Sequence, residues 1–253
     1  MYWKVCATSI EGTSHIAKGM PCQDCSMALR LSSSSGSYLI LIAADGCGSS
    51  THSDIGSQLV AYEIVDCLAY WIKRSDVIPM LSDLLVFALG HANQMLHKKA
   101  IELSVPVREL ASTCLCVVVG PSGFAAAQIG DGVIVRRSNG ITGCLFWPSQ
   151  EYANVTHTLA DKDWFHKIQI HSSSSIEDSS ASWFVATDGV QDISCDAEKR
   201  IPHPGFVDAL LDKLDNVPLE SEPLVKEGLA RFLRSDRVNS VVSDDKTIVL
   251  ACP

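Results

Sequence analysis

Three apolar segments of the sequence each end in an aspartate beside a glycine: AADG at 43–46, QIGDG at 128–132 and VATDG at 185–189. A fourth acidic pair, Asp244-Asp245, comes just before an apolar segment. One Asp-Gly pair alone is typical of a turn. A strand end, however, holds a carboxylate rigidly, and a glycine lets main-chain oxygens and water approach it. Several carboxylates at one sheet edge would repel each other unless a cation lay among them, so the set predicts an oxygen-lined site for Mg²⁺ or Mn²⁺.

The spacing of apolar residues predicts the elements that would position these carboxylates. Residues 38–44 form a continuous apolar run of buried-strand length, and a helix with Thr51 as its N-cap should follow. A second amphipathic helix is expected over 76–99. Three further strands are expected in succession, at 112–120, 124–129 and 133–137. Their connections are too short for crossover helices, which predicts a meander of antiparallel hairpins.

The second half of the sequence returns to a strand at 182–186. Helical periodicity follows at 206–214 and 224–233, and a closing strand is expected at 246–251. Strands in two batches with helices between them favour an α+β arrangement in which helices cover sheets. Because no internal repeat or linker interrupts the chain, we expect residues 1–253 to form a single domain.

Composition narrows the classes of function. The 253 residues are 47% hydrophobic, and 20 Lys and Arg stand against 29 Asp and Glu, for a formal net charge of -9. This balance argues against a nucleic acid or an anionic membrane as the main partner, since both need a basic face. The sequence shows no signal-peptide or membrane-spanning run, and its ten cysteines are scattered as small hydrophobic residues. A soluble cytoplasmic protein is therefore expected.

Six motifs, taken in order, give the sequence a family likeness. They are Gln23-Asp24, DGCGS at 45–49, AST at 111–113, GDG at 130–132, TDGVQD at 187–192 and DDKT at 244–247. Together they resemble the metal-dependent protein phosphatase 2C family. The N-terminal residues GTSH at 12–15 and PCQD at 21–24 are most similar to its bacterial-type branch, as is EYANVT at 151–156. The resemblance implies a four-layer α-β-β-α sandwich, with two antiparallel sheets flanked by helices.

The same resemblance implies a role for each matching residue. Asp45 would bridge two Mg²⁺ or Mn²⁺ ions, and the Gly46 carbonyl would bind one of them. Asp188 and Asp244 would hold the other ion. Asp24 would orient water at the metal centre without binding an ion itself. The implied catalytic residues are thus Asp24 and Asp45.

Two further matches, Asp131 and Asp192, would form a third and weaker metal site together with Asp188. The resemblance implies hydrolysis of phosphoserine and phosphothreonine in proteins, in which a water activated by two metal ions attacks phosphorus in line. The expected partners are a phosphorylated protein and a cognate serine/threonine kinase, with no nucleic acid and no membrane. The alternative is a catalytically weak or silent family member that binds phosphoproteins in signalling.

The sequence departs from the family pattern at three positions. Gly19 stands where the family usually has an arginine that grips the phosphate, and His15 or Lys18 could supply the positive charge instead. Cys47 stands where some members have a histidine that donates a proton, and we expect the thiol to be passive. Asp245 replaces the usual asparagine beside Asp244, which leaves open which of the two carboxylates binds metal.

Overall fold

The computed structural model describes residues 2–75, 78–146 and 156–253, and within them the chain builds two antiparallel five-stranded sheets. The first sheet has the spatial order β1 (Lys4–Ile10), β12 (Lys246–Cys252), β9 (Ser182–Ala186), β6 (Val133–Ser138) and β7 (Ile141–Cys144). The second has the order β2 (Asp24–Ser33), β3 (Gly36–Asp45), β4 (Cys114–Gly120), β5 (Gly123–Ile129) and β8 (Gln169–Ser173). A two-stranded ribbon, β10 (Cys195–Asp196) with β11 (Ile201–Pro202), stands apart from both.

Helices cover the outer face of each sheet. Long helices α2 (Ser53–Arg74) and α3 (Leu81–Leu103) pack on the second sheet, and α6 (Pro204–Asp215) and α7 (Glu222–Leu233) pack on the first. The short helices are α1 (Thr13–Lys18), α4 (Trp164–Lys167), α5 (Asp188–Ser194) and α8 (Asp236–Asn239). Short 3-10 segments cover Val107–Leu110, Ile176–Ser180 and Leu219–Ser221. The predicted α-β-β-α sandwich is confirmed.

The apolar run of β3 is continuous because both of its faces are buried. Leu39 and Leu41 point into the layer between the sheets, whereas Ile40 and Ile42 pack against the helices α2 and α3. All four side chains are fully buried. A strand covered on both faces does not show the alternation of polar and apolar residues that a half-exposed strand shows. The continuous apolar run was therefore enough to predict β3 from the sequence.

The predicted hairpin meander is wrong at one connection. Strands β4 and β5 pair within the second sheet, but β6 pairs with β9 in the first. The GDG segment therefore carries the chain from one sheet to the other. Gly130 and Gly132 have φ values of 94° and 101°, and a Cβ atom on Gly132 would lie 2.7 Å from the Ala186 carbonyl oxygen. Only glycine fits this crossing without strain.

Two predicted helix starts also need correction. Helix α2 begins at Ser53 with His52 as its N-cap, because the Thr51 hydroxyl donates a hydrogen bond to Glu109 instead of capping the helix. Helix α3 begins at Leu81 instead of residue 76; residues 76 and 77 lie outside the described part of the chain. Pro79 disfavours helical backbone at the residue before it, which explains the later start. Across the described ranges, no helix combines the length and apolar character needed to span a bilayer.

Candidate active site

The acidic motifs meet at one end of the sandwich, where strands of both sheets begin or end. Asp45 is the last residue of β3 and lies directly opposite Asp24, the first residue of β2. Asp188 follows β9 and Asp244 precedes β12, both in the other sheet. Asp131 lies on the crossing between the two sheets. The sandwich thus gathers carboxylates from distant parts of the sequence into one cleft.

Three of these carboxylates form a tight cluster. Oxygen atoms of Asp45, Asp131 and Asp188 all lie within 4.8 Å of one another. The Thr156 hydroxyl donates a 2.9 Å hydrogen bond to Oδ2 of Asp131, while Oδ1 of Asp131 is buried with no hydrogen-bond partner among the described atoms. An acceptor oxygen left in this state costs free energy unless a cation binds it. The donor set, carboxylates and a nearby main-chain carbonyl, fits a hard divalent cation.

Backbone contacts fix the end of β3 on both sides. The Asp45 amide donates a 3.0 Å hydrogen bond to the Thr113 hydroxyl, and the Thr113 amide donates to the Asp45 carbonyl at 2.8 Å. The Gly46 amide donates to the Gln23 carbonyl. A Cβ atom on Gly46 would lie 2.5 Å from the Ser53 carbonyl oxygen, so no larger residue fits at this position. The AST motif and the Asp-Gly pair are therefore two halves of one support.

Asp24 lies beneath the cluster and is buried. The Thr187 hydroxyl donates a 2.9 Å hydrogen bond to its Oδ2 atom. Burial raises the pKa of Asp24 to about 7, and the charge of Asp245 adds to the effect. Because Asp24 faces Asp45 across the strand pair, it is placed to hold water or a proton next to the cluster.

The neighbouring carboxyls show the same electrostatic stress. Burial, followed by the charges of Asp24 and Asp188, holds the pKa of Asp45 well above its ordinary range. Burial and the charge of Asp131 raise the pKa of Asp188 to about 6. Each shift means that negative charge is disfavoured in the protein without a counter-ion. A divalent cation would reverse this effect.

The two adjacent aspartates before β12 have different surroundings. The Asp245 side chain is buried, and its two oxygens accept 2.6 Å hydrogen bonds from the amides of Gly12 and Gln23. The Asp244 side chain is 62% exposed and lines the cleft with Asp45 and Asp188. The Asp245 carboxylate is therefore engaged by main-chain amides, whereas the Asp244 carboxylate is accessible to a metal ion in the cleft.

A cleft of about 520 Å³ opens above the cluster. Its wall includes His15, Lys18 and Cys47. Lys18 is exposed and is the only lysine or arginine among the described residues of that wall. His15 is buried, at 7% exposure. Burial raises the pKa of the Cys47 thiol to about 11, with a further contribution from the Asp131 charge.

The structure does not bring every predicted residue to the cleft. Asp192 lies one turn beyond Asp188 on α5, is exposed, and belongs neither to the cluster nor to the cleft wall found among the described residues. Residues 151–155, most of the EYANVT segment, lie outside the described part of the chain. A third metal site that uses Asp192 stays a prediction.

Two supporting residues were missed by reasoning from the sequence. The Gln128 amide donates to the carbonyls of Gly130 and Gly132, both at 3.3 Å, and so fixes the crossing that carries Asp131. Lys246 is fully buried, and its Nζ atom donates to the Asp244 carbonyl at 3.3 Å and to Asn239 at 3.1 Å. Gln128 is a polar residue inside an apolar strand and Lys246 is a charged residue at the start of one, which is the signal that could have identified them.

Comparison with known proteins places this site in a family. The family model described as Protein phosphatase 2C matches residues 11–234. Serine/threonine-protein phosphatase 3 of Escherichia coli (strain K12) is 31% identical over 254 residues, covering 99% of this chain and 98% of that protein. The chain belongs to the protein phosphatase 2C family, which confirms the resemblance seen in its motifs.

Solved structures agree on the fold. The phosphatase Stp1 from Staphylococcus aureus superposes with a TM-score of 0.63 at 15% identity, covering 100% of this chain and 96% of that one. The catalytic domain of the serine threonine protein phosphatase PstP, in complex with 2 manganese ions, gives 0.61 at 17% identity, covering 99% and 97% of the two chains. Both share the sandwich of two antiparallel sheets.

Proposed function

We propose that this protein is a metal-dependent phosphatase that hydrolyses phosphoserine and phosphothreonine in other proteins. The observation that carries the proposal is the cluster of Asp45, Asp131 and Asp188 at the floor of an open cleft, in a chain of the protein phosphatase 2C family. The E. coli relative is named as a serine/threonine phosphatase. The substrate class is inferred from that relative.

The family resemblance implies which residues would hold two ions, and the cleft contains them. Asp45, with the Gly46 carbonyl, would bind both ions, and Asp188, which lies in the same cluster, and Asp244, which lines the same cleft, would hold one of them. Mg²⁺ or Mn²⁺ would supply charge neutralisation at phosphate and would lower the pKa of bound water. Asp131, with Asp188 and Asp192, would hold a weaker third ion.

The chain's own residues would do the remaining work. Asp24, held by the Thr187 hydroxyl and facing Asp45, would orient the attacking water. Lys18 would bind the phosphate as a point charge at the cleft wall and so replace the family arginine, whose position is occupied here by Gly19. His15 is the other basic residue that the sequence offers, but because its ring is buried, Lys18 is the better candidate.

The setting of this activity would be cytoplasmic, with a serine/threonine kinase supplying the phosphorylated protein. All ten cysteines are free thiols, which fits a reducing compartment. The net charge of -9 gives no support for nucleic acid as a partner.

A second candidate is a catalytically silent member that binds phosphoproteins. The observation in its favour is Gly19 at the position of the family arginine. Manganese-dependent hydrolysis of an aryl phosphate and of phosphoserine and phosphothreonine peptides separates the two functions. We expect hydrolysis by the full chain with Mn²⁺ and none after chelation, with the Asp45→Asn variant as the inactive control. Binding of phosphopeptide without turnover would instead establish the silent member.

The role of Lys18 has its own kinetic test. If it binds the phosphate, Lys18→Ala should raise KM for a phosphopeptide about tenfold, because one charge-assisted contact is lost, with a smaller change in kcat. Lys162, a lysine that does not line the cleft, provides the matched control as Lys162→Ala. Equal KM values for Lys18→Ala and wild type would exclude Lys18 from phosphate binding.

A further inference from the structure

His15 occupies a fixed position at the edge of the cleft, although it lies on a helix of only six residues. Three contacts tie α1 and its flanks to the segment 243–245. The Ser14 amide donates to the Ser243 carbonyl at 2.9 Å, and the Gly12 amide donates to Asp245. A Cβ atom on Gly12 would lie 2.4 Å from the Asp244 carbonyl carbon, so the two backbones are in close contact. The imidazole therefore has little freedom to move.

The two ring nitrogens of His15 face two different carboxylates. Nδ1 lies 2.9 Å from Oδ2 of Asp245, a close contact although it is poorly aligned for a hydrogen bond. Nε2 lies 3.8 Å from Oδ1 of Asp244. The three side chains offer ligand atoms within 4.8 Å of one another, separately from the Asp45 cluster. Asp244 also lines the cleft beside Asp188, so the two groups of ligands adjoin.

This arrangement is the one that metal-binding histidines use. Such a histidine directs one ring nitrogen to a carboxylate, which orients the ring and raises its basicity, and presents the other nitrogen to the ion. Asp245 lies where the first part needs a carboxylate, 2.9 Å from Nδ1, and its oxygens are already anchored by the Gly12 and Gln23 amides. Atoms 3.8 Å apart, like Nε2 and Asp244 Oδ1, can share one ion at metal–ligand distances of about 2.1 Å.

We propose that His15 Nε2 is a nitrogen ligand to the metal ion held by Asp244, so that this site combines nitrogen and oxygen donors. The proposal rests on the proposed function only for Asp244 as a metal ligand. Carboxylate oxygen suits Mg²⁺ and Mn²⁺ alike, but Mn²⁺ belongs to the transition series, which accepts nitrogen donors more readily, whereas Mg²⁺ gives up its water ligands reluctantly. The residue therefore sets metal selectivity: it favours Mn²⁺ over Mg²⁺ and leaves Lys18 as the contact to phosphate.

A purely structural role for His15 explains less of the geometry. The Asp245 carboxylate is already held in place by two main-chain hydrogen bonds at 2.6 Å, so the imidazole is not what fixes its position. The ring is nevertheless buried between two carboxylates, with Nε2 on the side of the one that lines the cleft. Metal ligation accounts for both ring nitrogens.

Electron spin-echo envelope modulation of Mn²⁺ bound to the full chain tests this directly, because it detects a ¹⁴N nucleus bonded to the ion. We expect ¹⁴N modulation in the wild type and its loss in His15→Ala and in His15→Gln, which keeps a polar side chain of similar reach. Calorimetric titration should show Mn²⁺ affinity reduced at least about tenfold, with Mg²⁺ affinity changed less. Circular dichroism checks that each variant is folded.

Two matched variants serve as controls. Lys18→Ala removes the other basic side chain of the cleft wall, and His157→Ala removes a histidine next to Thr156 of that wall. Both should keep the ¹⁴N modulation. Its absence from the wild type, or its survival in folded His15→Gln, would overturn the proposal.

Activity is measured separately, so that the two proposals can fail independently. Wild-type hydrolysis without ¹⁴N modulation would leave the phosphatase function standing and remove His15 as a ligand. Modulation without any hydrolysis would do the reverse.

Discussion

Two acidic corners lie side by side at the end of the sandwich, and they treat their carboxylates differently. In the open corner, Asp45, Asp131 and Asp188 crowd together, and one buried oxygen of Asp131 has no donor among the described atoms. In the closed corner, Asp245 receives two main-chain amides beside the buried Lys246. The number of carboxylates does not distinguish an ion site from a structural anchor. The supply of hydrogen-bond donors does.

The contrast reaches the level of adjacent residues. Asp244 and Asp245 are neighbours in sequence, yet one faces the cleft and the other is buried under the N-terminal segment. A substitution in the open corner should therefore reduce activity, and one in the closed corner should reduce stability.

The largest effect should come from the open corner. Asp45→Asn and Asp188→Asn each remove a charge that would bind metal, and we expect activity toward an aryl phosphate to fall at least about a thousandfold. The fold should remain, because the amide relieves repulsion among buried carboxylates. Steady-state kinetics with Mn²⁺ and thermal melts with chelator measure the two expectations. Normal turnover in both variants would remove these residues from the metal centre.

Asp245→Ala should instead reduce stability. It leaves the buried amides of Gly12 and Gln23 without an acceptor, at a cost of about 3 kcal/mol in the free energy of unfolding. Asp244→Ala is the matched variant: its exposed side chain should change stability by less than about 0.5 kcal/mol but weaken metal binding. Urea denaturation without metal and Mn²⁺ titration separate the two. If Asp244→Ala proved the more destabilising, the assignment of the corners would have to be exchanged.

The open corner also predicts how stability depends on pH in the metal-free protein. The pKa values of Asp24 and Asp188, about 7 and about 6, lie above the ordinary value of 3.8, so the folded state binds protons that the unfolded chain has released. Stability should therefore increase as pH falls from 8 to 5, on the order of 2 kcal/mol, and be lost again as pH rises through 6 to 7.

Melting temperatures with chelator across this range measure the trend, which should be weaker in Asp24→Asn. Saturating Mn²⁺ should reverse its sign, because metal binding requires deprotonated ligands. A metal-free protein that becomes steadily less stable on acidification to pH 5 would contradict the expectation.

The smallest effect is expected at Cys47, a partly buried residue of the cleft wall that belongs to neither acidic corner. Its amide donates to the Ala111 carbonyl, and its side chain packs against the helical core while touching the cleft. Cys47→Ala should keep activity within about threefold on an aryl phosphate and on a phosphoserine peptide. A hundredfold loss on both, about 2.7 kcal/mol of barrier, would place the thiol in the mechanism. Cys67→Ala, away from the cleft, is the control.

Reasoning from the sequence located the open corner but not the closed one. The Asp-Gly pairs at strand ends are local signals, and so is the continuous apolar run of β3, which predicted a buried strand. The choice between Asp244 and Asp245 depended on amides more than 200 residues away in the chain, which no local pattern encodes. The switch of β6 into the first sheet was also missed, because a short connection is compatible both with a hairpin and with a crossing between sheets.

The crossing at Gly130 and Gly132 holds Asp131 beside Asp45 and Asp188, which come from opposite sheets. Their spacing therefore depends on the thickness of the layer between the sheets, where Leu41 and Trp183 are buried. Ions bound there would cross-link the two halves of the sandwich, so that metal affinity and interior packing become thermodynamically linked. Replacing a side chain in that layer by a smaller or larger one, although it lies far from the bound phosphate, should change metal affinity even where the protein still folds.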